Sequence, residues 1–131
     1  MSYLIATVTN IIECDMLHLV EFKSNNTALS MISLDLMDNI TIGKKVQLTM
    51  KPSHIVIAKE FNGDISYSNR LDCTIISIDN GAILSSIRLD FFGSILEAII
   101  TFKSSKSMNL KEGDKVTAMI NATELSITEV F

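Results

Sequence analysis

Ser66-Tyr67-Ser68-Asn69-Arg70-Leu71 lies near the midpoint of the 131-residue chain, and its reading decides the fold. The stretch is polar, rich in hydroxyl and amide groups, and runs directly into strand-forming residues from Leu71 to Ile78. The residues after it repeat the pattern of those before it. A shift of 67 positions lays Leu4, Thr7, Ile11, Leu17, Leu29 and Ile32 on Leu71, Thr74, Ile78, Leu84, Leu96 and Ile99, each identical. Beyond a three-residue insertion, a shift of 70 lays Gly43, Lys45, Val46 and Ile57 on Gly113, Lys115, Val116 and Ile127. These identities keep their order and follow the apolar pattern, so the chain contains two copies of one unit. The Ser66 stretch is the joint between them.

Within the first copy, Leu4 to Ile12 is rich in strand formers, and Met16 to Lys23 places Val20 and Phe22 on one face. Asn25-Asn26-Thr27 reads as a turn that makes a hairpin with Ala28 to Leu34. Leu36, Met37 and Ile40 allow a helical turn over 34–40, and in the second copy a comparable turn is expected near Ser105 to Asn109. Gly43-Lys44-Lys45 leads into Val46 to Met50, and Lys51-Pro52-Ser53 separates that strand from His54 to Ala58. Five short strands with a helical turn between the third and fourth suggest an OB-like barrel or sandwich for each copy, and the expectation is an all-β fold of two tandem OB-like five-stranded barrels. The expected divisions are a first repeat over 1–60, a linker and binding edge over 61–70, and a second repeat over 71–131.

Composition narrows the function. A hydrophobic content of 47% is more than two free-standing domains of this size bury, so association of the chain with copies of itself is expected. The net charge of -4 and an aromatic content of 6% without tryptophan argue against an OB-type binder of single-stranded nucleic acid, which needs a basic groove with stacking rings. Cys14 and Cys73 have no ligand or disulfide spacing, and both are expected to be small buried hydrophobes in a reducing, cytoplasmic setting. Met1 to Ala6 carries no basic leader and no span long enough for a bilayer, so no membrane partner is expected. His18 and His54, on strands far apart in sequence, suggest no free metal cation, and no cofactor is implied. The scattered carboxylates and the serines without a nucleophile elbow give no support to an enzyme.

The second copy, through Ser66 to Leu71, Ala98-Ile99-Ile100-Thr101, Leu110 to Ala118 with its Gly113-Asp114-Lys115-Val116 turn, and Asn121 to Ile127, resembles the molybdenum-pterin-binding (Mop/TOBE) domain. The first copy resembles it through Leu17 to Phe22 and Lys51-Pro52-Ser53-His54, so the whole chain is similar to a tandem di-domain molbindin. That resemblance implies a homo-oligomer, in di-domain members a trimer, holding molybdate or tungstate at subunit interfaces for intracellular storage or homeostasis. It also leaves open an oxyanion-sensing module of a transcription regulator or transport ATPase.

By the same resemblance, Ser66, Tyr67, Ser68 and Asn69 occupy the opening oxyanion-binding motif, with Ser68 where the family has an arginine. Thr101 and Ser104 fall on its Thr-x-x-Ser. Lys51, Pro52 and Ser53 fall on the family's lysine turn in the first copy, and Asn121, Ala122 and Thr123 fall on it in the second, where Asn121 replaces the lysine. Read without the resemblance, Ser66 to Asn69 is equally a polar linker, and Thr101 with Ser104 equally a cap on the helical turn.

Overall fold

Alternation along the first strand buries Leu4, Ala6 and Val8 and turns Tyr3 and Ile5 outward, as a sheet with one covered face requires. The computed structural model describes residues 1–131. Its strands are β1 (Ser2–Cys14), β2 (Leu17–Ser24), β3 (Thr27–Ser33), β4 (Lys45–Met50), β5 (Val56–Ala58), β6 (Asn69–Asn80), β7 (Leu84–Phe91), β8 (Ser94–Thr101), β9 (Lys115–Ile120) and β10 (Ser126–Val130). Helix α1 (Phe102–Ser107) precedes β9, and 3₁₀ turns at Pro52–His54 and Ala122–Glu124 follow β4 and β9. The expected all-β fold of two tandem OB-like five-stranded units is the one adopted.

The two units are built alike. A two-residue turn with positive φ at both positions closes each central hairpin, Asn25 and Asn26 in one and Phe92 and Gly93 in the other. Such turns match the right-handed twist of the flanking strands. A bulge between Val8 and Asn10 in β1 recurs between Ile75 and Ser77 in β6. There the long strand bends, pairing first with β4 or β9 and then with β2 or β7, and the sheet curls. The amides of Gly43 and Gly113 bond to Val8 and Ile75 at these bends. At φ 93 and 87, with nothing near an added Cβ, both positions need glycine for conformation rather than for space.

The fifth strands are exchanged. One sheet has the order β10-β4-β1-β2-β3 and the other β5-β9-β6-β7-β8. Ile127 pairs with Leu48 across halves, and Ile57 with Ala118. The expectation that each copy supplies all five of its own strands is corrected here. Ile55 and Leu125, where the chain crosses over, are both buried, and one apolar cluster runs through both units. Neither 1–60 nor 71–131 contains a complete sheet.

Other expectations are corrected locally. Residues 34–40 form turns and no helix, whereas the three extra residues of the second copy give room for α1, which starts before the expected 105–109. Ile40 and Leu110 are nevertheless buried at matching positions. His54 ends a 3₁₀ turn rather than starting a strand, and β6 begins at Asn69, inside the expected linker. Cys73 is buried as expected, but Cys14 is exposed, because it lies at the tip of the β1–β2 hairpin beyond the core.

Candidate functional site

Ten of the twelve positions picked out in the sequence fall into two clusters that correspond by the internal repeat; Thr101 and Ser104 stand apart, at the end of β8 and in the first turn of α1. In the first, Asn69 pairs with Ile120 at the end of β9, which brings the end of the joint beside the start of the Asn121–Thr123 turn, and that turn packs on β3. Ser68 borders a shallow pocket of about 320 Å³ with Leu19, Glu21 and Ser30. In the second, Ser2 pairs with Met50, and the adjoining Lys51–Ser53 turn packs on β8, the strand that ends at Thr101. The clusters touch through His54 and Glu124, whose Nδ1 and Oε2 lie 2.9 Å apart. These two residues also correspond under the 70-residue shift, so the contact marks the axis relating the halves.

Asn69 is fully buried, and its carboxamide is already engaged. The Ser30 amide donates to Oδ1 at 2.7 Å, and Nδ2 donates to the Ser30 carbonyl at 3.0 Å. The side chain thus behaves as a peptide group added to the open edge of β3. Ser2, the residue aligned with Asn69, does half as much: its Oγ accepts the Glu97 amide of β8 at 2.9 Å. Ser2 was not singled out in the sequence, although the 67-residue shift that lays it on Asn69 carried the signal.

Thr101 caps α1. Its Oγ1 accepts the Ser104 amide at 3.0 Å and donates to Ser104 Oγ at 2.9 Å. Both residues are exposed, and the capping role open in the sequence is present. Ser66 and Ser68 are exposed and Tyr67 half-buried. Lys51 and Ser53 are exposed, and the Lys51 side chain makes no capping bond. Thr123 is exposed beside buried Ala122, and Pro52 is half-buried at the start of its turn.

The joint is anchored at its start. Lys59 Nζ donates to the carbonyls of Met108 and Asn109, at 3.2 and 3.1 Å, and lies 3.2 Å from Asp114 Oδ2. The Lys111 amide also donates to Asp114, and these bonds hold its carboxyl below the usual carboxylate range. Burial pushes the Cys73 thiol up to about 12, so it stays protonated and is no nucleophile. No group of three or more His, Cys, Asp or Glu side chains could hold a metal cation. What these clusters offer is hydroxyls, backbone amides and a few fixed charges, a chemistry of binding.

Fold and site together define a class: a tandem pair of curled five-stranded sheets with exchanged last strands, carrying paired polar turns where the halves meet. The TOBE domain model matches residues 65–127. A Haemophilus influenzae protein named "Probable molybdenum-pterin-binding protein" is 30% identical over 64 residues, spanning 48% of this chain and 93% of that protein. A molybdate-binding protein from Sporomusa ovata is 37% identical, covering 51% of this chain and all of the other, with a TM-score of 0.50. The cytoplasmic molybdate-binding protein ModG, solved with molybdate bound, superposes over 95% of this chain and 93% of its own with a TM-score of 0.88. At 20% identity, that last likeness speaks for the fold. The chain belongs to the Mop/TOBE molybdenum-pterin-binding family.

Proposed function

We propose that this protein is a non-enzymatic binder of molybdate or tungstate, working in the cytoplasm as a homo-oligomer, a trimer, that stores or buffers the anion. The observation that carries the reading is family membership, with 30% identity over nearly the full length of the Haemophilus relative. No helix is long and apolar enough to cross a membrane. Apolar residues on the outward face support assembly: Ile12 and Ile32 are exposed and Leu19 half-buried between them, in register across β1, β2 and β3. A patch of this kind on a small protein marks an interaction surface.

The anion sites of this reading draw on Ser66, Tyr67, Ser68, Thr101, Ser104, Lys51, Pro52, Ser53, Asn121, Ala122 and Thr123, with Asn69 positioning the edge. A tetrahedral dianion entering an interface loses water, which hydroxyls, amide N–H groups and Lys51 replace with charge-assisted bonds. A cavity fitted to the larger ions discriminates against sulfate, because an undersized guest leaves buried donors unpaired. Ligand bound only by the folded assembly raises its stability by mass action. Thermal unfolding with molybdate, tungstate, sulfate or phosphate tests this. The reading predicts an upward shift with the first two, and equal or absent shifts with all four would dismiss it.

A further inference from the structure

The internal repeat calls for matching outer faces where β4 meets β10 and where β9 meets β5, and the two faces differ. In the first half, Thr128 of β10 fills the face: its Oγ1 lies 2.6 Å from Thr49 Oγ1 and accepts from Gln47 Nε2 at 3.2 Å. The chain then runs on to Phe131, whose amide donates to the Lys45 carbonyl at 2.9 Å. In the second half, the 70-residue shift puts Ala58 where Thr128 stands and Thr117 where Gln47 stands. Strand β5 ends at Ala58, and Glu60 takes a φ of 53, a left-handed conformation that side chains such as its own adopt only at a cost. No amide of the joint reaches the Lys115 carbonyl, the counterpart of the Lys45 carbonyl. What results is an open cavity of about 450 Å³ between the joint, β6 and β9, with the ring of Phe61 at its side.

Glu60, Asp72, Thr74, Lys115 and Thr117 all line this cavity. Sheet pairing sets Asp72, Thr117 and Ala58 in one row and Thr74 with Lys115 in the next row of the same face. None of the five side chains makes a hydrogen bond or an ion pair within the chain. Neighbouring charges leave the balance as it is. Arg70 donates to the Tyr67 and Ile65 carbonyls, and Asp90, opposite Thr74, accepts the Gly93 amide. The cavity sets two carboxylates against one ammonium, and counting Arg70 and Asp90 keeps the same excess of a single negative charge.

We infer that this cavity binds a small zwitterion of amino-acid size. Its ammonium group lies between Glu60 and Asp72, its anionic group at Lys115, and its apolar body against Phe61, which is 45% exposed. Groups of both signs stand ready without partners: a simple anion meets the two carboxylates with nothing to offer them, and a simple amine leaves Lys115 unmatched. The threonine hydroxyls and the Lys115 carbonyl supply further acceptors for an ammonium. A cavity of this volume with a few convergent polar groups has the form of a small-molecule site. It shares no residue with the anion-binding set and does not depend on the oxyanion reading.

Saturation-transfer NMR and titration calorimetry of the full-length assembled protein test this with L-leucine, L-phenylalanine and two analogues of leucine, isopentylamine without the carboxylate and isocaproate without the ammonium. The amino acids are expected to bind, and each analogue to bind about tenfold more weakly than leucine, the scale of losing one charge-assisted bond. Asp72→Asn and Lys115→Met should each weaken leucine binding by a similar factor. Ala58→Thr, which installs the side chain of the first half, should abolish it by filling the floor of the cavity. Unchanged melting temperatures without ligand show that these variants fold, and tungstate binding should be the same in all three as in wild type. The inference is overturned if neither amino acid binds, if isopentylamine or isocaproate binds as tightly as leucine, or if leucine binding survives Ala58→Thr. Loss of tungstate binding in the same variants would likewise overturn it, since the cavity would then be part of the anion site.

Discussion

Asn69 shows how one side chain can serve two halves of a repeat. Edge strands expose unpaired amides and carbonyls, and β3 has its edge closed at Ser30 by a carboxamide that supplies both an acceptor and a donor. Removing it by Asn69→Ala orphans two backbone groups, each costing about 1–3 kcal/mol when left buried and unbonded. Ser2→Ala orphans only the Glu97 amide. Urea unfolding should therefore show Asn69→Ala to be clearly more destabilising than Ser2→Ala. Equal losses would mean that the carboxamide bridge adds nothing beyond a single hydroxyl. The family resemblance placed Asn69 in the oxyanion motif; in the fold its acceptor and donor are both bonded to Ser30.

Among the elements, the exchanged strands β5 and β10 matter most. Each half depends on the other for its last strand, so the covalent joint and the sheet edges enforce the same pairing. Deleting residues 126–131 strips β4 of one neighbour while leaving β9 with both of its own. Hydrogen exchange of the shortened chain should accelerate first in β4 and the rest of the first sheet. Acceleration centred on β9 would refute the exchange. Much of this level was legible: the alternating strands, the Asn25-Asn26 turn and the glycine bends at 43 and 113 follow from local chemistry. The exchange was not, because Ile57 and Ile127 occupy equivalent places whichever sheet they join. Neither was the absence of a helix over 34–40, where Leu36, Met37 and Ile40 satisfy helical spacing but the connection is three residues shorter than its counterpart. The Lys59–Asp114 contact joins residues far apart in sequence, and no pattern within either copy announces it.

At the scale of the molecule, the two halves share a fold but not an outward surface. The outward row Ile12, Leu19 and Ile32 is apolar, while the matching row Asp79, Ser86 and Ile99 is mostly polar. The difference gives the first half a sticky face and the second a wetter one, which suits an assembly in which unlike faces meet around a ring. The central claim is that copies of this chain assemble and hold a tetrahedral oxyanion in doing so. Native mass spectrometry of the purified protein, with tungstate and then with sulfate, tests it most directly. A trimer carrying tungstate and no sulfate is the predicted result; a monomer whose mass is unchanged by either anion would contradict the account.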